Sequence, residues 1–396
     1  MHIVTGNPVT GEDFFDREQL IANLWQTLEG DSVLLAAPRR VGKSSIMLRL
    51  MERPANGFRP VYLDGQNYES PEDLVADLVV RVGKVSGDVR KFTQGILTGA
   101  RRNIEELEIW QIKLTLREQL AQGWREQGES AVRAAVASGP KLLVILDELP
   151  LLLHRMADSG EEGQEKALSL LDWLRHLRHE PEIRPGLRQL VAGSVGMARV
   201  AAHIGATHKI NDLAQIPVGP FTREAAATFV RQLLASRGIE ANVLITETFL
   251  EQVETFIPIF MQILASAVAS EVRDRGAELT PELVRMCYEE RALGPQYRNR
   301  FEDYYERLDR YYTPDEARAA KRLLRELAIA GGPVARARLQ ALYHEELGTA
   351  NGGAFDLLLS WLHDDFYVEE VLPERREVVF KSKWLRDWWR IYHASV

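Results

Sequence analysis

The chain has 396 residues, of which 45% are hydrophobic and 27% charged. That length exceeds what one hydrophobic core serves and predicts two or three domains, while the composition excludes a collagen, a coiled-coil rod and a disordered chain. With 49 Lys and Arg against 57 Asp and Glu, the net charge is -8, so nucleic-acid contact would require a local basic patch.

The first apolar run, DSVLLAA over residues 31–37, ends at Pro38 and reads as a buried strand entering a tight loop. A helix, SSIMLRLMERP, is expected to follow. Four more short runs read as buried strands: Pro60 to Asp64, Leu142 to Asp147, Gln189 to Ser194 and Gln215 to Val218. Helical patterns lie between them, including SPEDLVADLVVRV with Ser70 as N-cap, and GQEKALSLLDWLRHL. Such alternation predicts an α/β domain with a mostly parallel sheet and helices on both faces. Between Asp88 and Gly139 the chain is longer than a crossover needs. There Leu107, Ile109, Ile112, Leu114 and Leu116 partly alternate with polar residues, which suggests an extra strand or hairpin before a helix from Arg117 to Ser138.

After Pro220 the pattern is wholly helical. Gly294 and Pro295 begin a polar connection, and from Thr313 three short helices precede FYVEEVLPERREVVF, two strands joined at Pro373 and Glu374. Three helices and a hairpin form the winged-helix arrangement. The expected domains are residues 1–219, 220–295 and 296–396. Cys287 is the single cysteine, which excludes an intramolecular disulfide and a multi-thiolate zinc site. Residues Met1 to Thr10 carry no export signal, and no apolar run reaches the roughly 18 residues that span a bilayer. A cytoplasmic protein without a membrane partner is expected.

Gly42, Lys43 and Ser44 match the core of a phosphate-binding loop. In such a loop backbone amides cradle phosphate, the lysine reaches the terminal phosphates and the hydroxyl ligates magnesium. The preceding strand and the helix opening at Ser44, whose dipole faces the anion, favour this over a surface turn with a solvated lysine. Ala37 replaces the first glycine of the motif, which is tolerable if its φ stays negative. About 100 residues on, LLVIL ends in Asp147 and Glu148. In a phosphate-loop enzyme the first carboxylate helps hold magnesium and the second polarises the attacking water. Acids that merely cap the next helix are the alternative. The two elements together predict nucleotide binding.

GNPVTGEDFFDRE, APRRVGKSS, LVILDELPLLL, VAGSVG and VGPFTREAA, in this order and spacing, resemble the archaeal-type STAND P-loop ATPases, relatives of AAA+ and origin-recognition ATPases. The likeness spans nearly the whole chain. It implies a P-loop domain, a helical lid and a winged helix, with ATP or ADP and Mg2+ as cofactors. Its loop positions are Pro38, Arg39, Arg40, Val41, Gly42, Lys43, Ser44 and Ser45. Adenine would be wrapped by the segment from Asn7 to Arg17, with Pro8, Val9, Phe15 and Arg17 at the matching positions. A hydrophobic staple of Phe14 and Phe15 onto the sheet is the other reading of those rings. Ser194 matches the sensor beside the γ-phosphate, or is simply a serine in a turn. Ser44 and Asp147 are the expected metal ligands, and Lys43, Asp147, Glu148 and Ser194 the catalytic set. In the lid, TFIPIFMQIL keeps Pro258 of the family's Gly-x-Pro segment but has Phe256 where glycine is usual.

Arg175, Arg178 and Arg188 are arginine-finger candidates by position alone. His176 and His179 share a helix with no further ligand cluster apparent in sequence, so zinc is not expected. Residues 351–372 contain five acids and no Lys or Arg, which disfavours DNA. Arg375, Arg376, Lys381 and Lys383 near the wing are the residues able to touch a phosphate backbone. Trp384, Trp388 and Trp389 are expected in the core rather than as a stacking platform. The resulting expectation is a slow ATPase switch, with a protein partner or self-association through lid and winged helix. Its rivals are a DNA-binding AAA+ loader or initiator and a scaffold that holds ADP structurally.

Overall fold

The computed structural model describes residues 1–37, 39–86, 117, 120, 123–139, 141–193, 196–348, 351–371 and 376–394. These fall into two compact units. One comprises Arg17–Ala37 and Lys43–Val218, and the other Met1–Asp16, residues 39–42 and Gly219–Val396.

The first unit is built on five parallel strands, β1 (Val33–Ala36), β2 (Arg59–Asp64), β3 (Leu142–Asp147), β4 (Leu187–Ala192) and β5 (Ala214–Pro217), in the order β2-β3-β4-β1-β5. Every residue of β3 and β4 is buried, so both faces of the sheet centre are covered, which explains the apolar run that leads up to Asp147 in β3. The register pairs Leu34 with Val191 and with Gln215, and Asp64 with Asp147. The helices are α1 (Glu18–Gly30), α2 (Lys43–Glu52), α3 (Pro71–Val85), α4 (Trp124–Ala137), α5 (Leu149–Asp158), α6 (Glu161–His179) and α7 (Met197–His203). Ser70 caps α3 as predicted, its hydroxyl accepting from the Asp73 amide at 3.3 Å with Pro71 in the first turn. The helix predicted from Arg117 is described continuously only as α4, and the alternating residues Leu107, Ile109, Ile112, Leu114 and Leu116 lie outside the described residues.

In the second unit, α8 (Arg223–Ala235), α9 (Val243–Val253), α10 (Pro258–Asp274) and α11 (Pro281–Met286) precede one π-helical turn, Cys287–Ala292. Thr222, Asn242 and Thr280 supply side-chain N-caps to α8, α9 and α11. The lone Cys287 sits at the π turn, fully buried, where burial and the nearby Glu271 push its thiol up to about 12.

The stretch read as a polar connection after Gly294 is instead a fourteen-residue helix, α12 (Arg298–Tyr311). Its many charges masked a buried stripe of Phe301, Tyr304, Leu308 and Tyr311, whose spacing is helical. Beyond it come α13 (Pro314–Ala330), β6 (Val334–Ala335), α14 (Arg336–Leu347), α15 (Gly352–Asp364), β7 (Val368–Val371), β8 (Glu377–Phe380) and α16 (Lys383–His393). Thr313 and Glu316 form a reciprocal capping box on α13, and Gly331 closes that helix at a φ of 67°. The three short strands form an antiparallel sheet ordered β6-β8-β7. The expected turn at Pro373 and Glu374 lies outside the described residues.

Trp384, Trp388 and Trp389 are core, each at most 1% exposed. Trp384 stacks on Phe260 of α10 with ring centroids 5.2 Å apart, and Phe301 of α12 lies 5.9 Å from it. One aromatic cluster thereby fastens α10, α12 and α16 together.

Candidate functional site

Helix α2 opens at Lys43, directly after the loop that leaves β1. The Lys43 side chain is buried, and its ammonium donates to the Ala37 carbonyl at 3.0 Å, so the chain curls over the loop it terminates. Ala37 does not take a positive φ. The left-handed positions are Arg40 at 65° and Gly42 at 100°, so alanine in place of the first glycine costs no backbone strain. Val41 and Ser45 are buried, and Pro38 lies outside the described residues.

Ser44 and Asp147 meet as predicted. The Ser44 hydroxyl donates to Asp147 Oδ2 at 3.0 Å, and the Glu148 amide donates to Asp147 Oδ1 at 3.0 Å. Sequence reasoning missed a further donor. The Tyr62 hydroxyl, on the neighbouring strand β2, also donates to Oδ2, at 2.8 Å. Tyr62 reads in sequence as one more residue of a buried strand; only the β2–β3 pairing brings it beside β3. Burial is the largest influence on the Asp147 carboxyl, and with the Glu148 charge it raises its pKa, while Tyr62, Ser44 and Lys43 work against the rise. A buried carboxylate, a hydroxyl and a buried ammonium thus converge where their charges need partners. Hard oxygens of this kind suit Mg2+.

Glu148 has a φ of 51°, a left-handed conformation unusual for a non-glycine residue. Two neighbours define it. A Cβ on Gly65 would lie 2.5 Å from the Glu148 carbonyl oxygen, so only glycine permits this approach. Arg155, about two turns along α5, donates to the carbonyls of Gly65 and Tyr68, each at 2.7 Å, and ties the turn after β2 to the helix that follows Glu148. Ser194, beyond the end of β4, is outside the described residues.

In the other unit, Phe15 packs against Phe221 and Phe229 with ring centroids 5.6 and 5.1 Å apart. Within this unit Phe15 is stapled onto α8 and the turn before it, whose rings supply an aromatic socket. Pro8 is exposed and Val9 half-buried in the same unit, whereas Arg17 begins the sheet unit. Pro258 is the first residue of α10, and the Phe256 carbonyl accepts from the Phe221 amide at 3.0 Å.

Arg39 is held by one face of α12. Arg39 forms an ion pair with Asp303, and the Tyr304 hydroxyl donates to the Arg39 carbonyl at 3.4 Å. The apolar periodicity at 301, 304, 308 and 311 was the available signal for this helix. Its charge-rich composition hid it.

Two of the finger candidates have structural work. Arg178 is buried, donating to both oxygens of Asp212, to Gln189 and to the Lys209 carbonyl, and Arg188 donates to the carbonyls of Glu29, Arg184 and Leu187. Neither guanidinium is available to a second molecule. Arg175 is half-buried. His176 does have acidic neighbours, which only the fold reveals: Glu129 at 3.0 Å and Glu180 at 3.8 Å. Arg133 pairs with both carboxylates, so their charge is already met.

No family model matches the chain, and no curated protein matches it. Among solved structures it is similar to a Walker-type ATPase of Pyrococcus abyssi, with 18% identity, 98% of this chain and 99% of that chain covered, and a TM-score of 0.62. It is also similar to the Aeropyrum pernix ORC2 protein, solved in ADPNP–ADP complexes, with 13% identity, 94% and 92% covered, and a TM-score of 0.50. No helix among the described residues is long and apolar enough to cross a membrane. In its five parallel strands, ordered β2-β3-β4-β1-β5, and the helices around them, the chain shares the fold of these Walker-type ATPase and ORC2 structures.

Proposed function

We propose that the protein binds MgATP and hydrolyses it slowly, as a nucleotide-dependent switch. The observation that carries this reading is the Ser44–Asp147 hydrogen bond, which joins the start of α2 to the end of β3 beside the buried Lys43. In the proposed reaction Lys43 neutralises the terminal phosphates. Ser44 and Asp147 would hold Mg2+, which lends charge neutralisation to the transferring phosphoryl group. Glu148 polarises the attacking water, and Tyr62 fixes the rotamer of Asp147. Pro8, Val9, Phe15 and Arg17 are proposed for the adenine, and the loop from Pro38 to Ser45 for the phosphates. Ser194 is proposed as the sensor and Pro258 as the lid contact.

Helices α13 to α15 with β6–β8 are proposed as a winged helix that docks protein rather than DNA. Support comes from its charges. Arg336 pairs with Asp356 and Glu370, Arg338 pairs with Glu326, and the Lys383 ammonium donates to Gln252. Lys381 lies over the Phe366 ring. These cations are already engaged, while Arg376 is exposed and Arg375 lies outside the described residues; a loader or initiator needs several cations available to the phosphate backbone, so the balance disfavours it. The test is phosphate release by the purified chain with Mg2+ and ATP, alongside ATP binding by calorimetry. Absence of binding would refute the nucleotide reading. Binding without release would leave the ADP-holding scaffold in its place.

A further inference from the structure

Helix α9 ends at Val253 and α10 begins at Pro258. The bend between them is built from two successive three-residue turns: the Thr255 amide donates to the Val253 carbonyl at 2.6 Å, and the Ile257 amide to the Thr255 carbonyl at 2.7 Å. Glu254, at the centre of the first, has a φ of 51° and a ψ of -56°. These angles belong to the positive-φ γ-turn, a rare and strained form. Glycine adopts positive φ freely and a short Asn or Asp side chain can support it, but glutamate has neither advantage. Its side chain is exposed, so burial does not impose the conformation either.

Strain of this kind persists only where the surroundings over-determine it. Here they come from the start of α16. The Thr255 hydroxyl donates to the Lys381 carbonyl at 3.0 Å. The Lys383 ammonium donates to the Gln252 carbonyl and to Gln252 Oε1, each at 3.2 Å, and the Trp384 indole N–H donates to the same carbonyl at 3.2 Å. That carbonyl is among the last four of α9, which a helix cannot satisfy internally, and a cation suits that end of the helix dipole. Trp384 also stacks on Phe260 of α10. Residues 381–384 therefore hold α9, the bend and α10 at once. They continue directly from β8, which ends at Phe380, and the Lys381 amide donates to the Tyr367 carbonyl beside β7 at 2.9 Å. The hairpin cannot shift without pulling on the bend.

We propose that residues 252–257 form a strained latch, held by the start of α16, through which displacement of the β7–β8 hairpin is passed to the start of α10. While α16 is seated, its hydrogen bonds outweigh the strain at Glu254. Once a partner draws the hairpin away, the bend relaxes and the first turn of α10 is freed with it. This goes beyond the ATP-binding reading and does not depend on it.

Hydrogen exchange on the full chain without nucleotide tests the latch, read as protection of the Thr255 and Ile257 amides. Burial lowers the pKa of the Lys383 ammonium, and the charges of Asp387 and Glu254 oppose that, so charge and backbone must be separated at residue 254. Glu254→Gln removes the charge and keeps the Cβ, whereas Glu254→Gly also removes the strain. Protection should be about tenfold higher in the glycine variant than in the glutamine variant. Thr255→Val and Lys383→Met should each lower protection about fivefold, and Glu254→Gly combined with Thr255→Val should recover part of that loss. Equal or lower protection in Glu254→Gly than in Glu254→Gln would overturn the strain, since glycine at a relaxed position only adds freedom to the opened chain. Parent-like protection in both Thr255→Val and Lys383→Met would overturn the hold of α16.

Discussion

The carboxyl end of the parallel sheet and the face of α12 that meets Arg39 hold their polar groups by different physics. At the sheet end, Ser44 of α2 and Tyr62 of β2 each reach Asp147 Oδ2 of β3, at 3.0 and 2.8 Å, and each polar atom named there has a partner. On α12, an ion pair from Asp303 and one long hydrogen bond from Tyr304 both end on Arg39. The first arrangement is complete in itself and suits chemistry that needs atoms held in place. The second is one half-exposed ion pair backed by a long hydrogen bond, and tolerates more movement.

The sharpest break in this contrast comes from Lys43→Ala. Removing a buried cation from the sheet end should cost ATP affinity a hundredfold or more, corresponding to about 3 kcal/mol, read by calorimetry. Next, Glu148→Gln should leave ATP affinity near the parent value and lower turnover by roughly a hundredfold, read as phosphate release; equal turnover would remove Glu148 as the base. Gly65→Ala probes whether Glu148 depends on its backbone support. The new Cβ would fall 2.5 Å from the Glu148 carbonyl and force that residue to move, so turnover should drop about tenfold with binding retained. The smallest effect is expected on the α12 side. Tyr304→Phe deletes one long hydrogen bond to the loop and should change ATP affinity by less than about threefold. A larger loss would mean that α12 acts as rigidly as the sheet.

The same contrast explains what the sequence disclosed. Strand β3 is a six-residue apolar run ending in acids, and burial on both faces leaves no polar residue to interrupt it, so Asp147 and Glu148 were legible as a strand-end pair. Lys43 and Ser44 carry a local motif in a local setting. Tyr62 was invisible because its role arises from β2 lying beside β3, a pairing between segments some 85 residues apart. Helix α12 was lost for another reason. Its mean hydropathy is dominated by exposed arginines and acids, and its buried tyrosines count as polar in a coarse reading. Arg178 erred the other way: it reads as a charge on the solvated face of its helix, yet its head is enclosed by Asp212, Gln189 and the Lys209 carbonyl, and Arg188 of β4 is likewise held by three backbone carbonyls.

Cys287 gives this molecule an internal clock. Because its sulfur is enclosed at the π turn and its thiolate is disfavoured until about pH 12, a disulfide reagent added at neutral pH can react only after the surrounding helices part. The rate of thiol modification in the unaltered chain therefore measures how often that region opens. Timing it with and without ATP would report opening with no label or substitution.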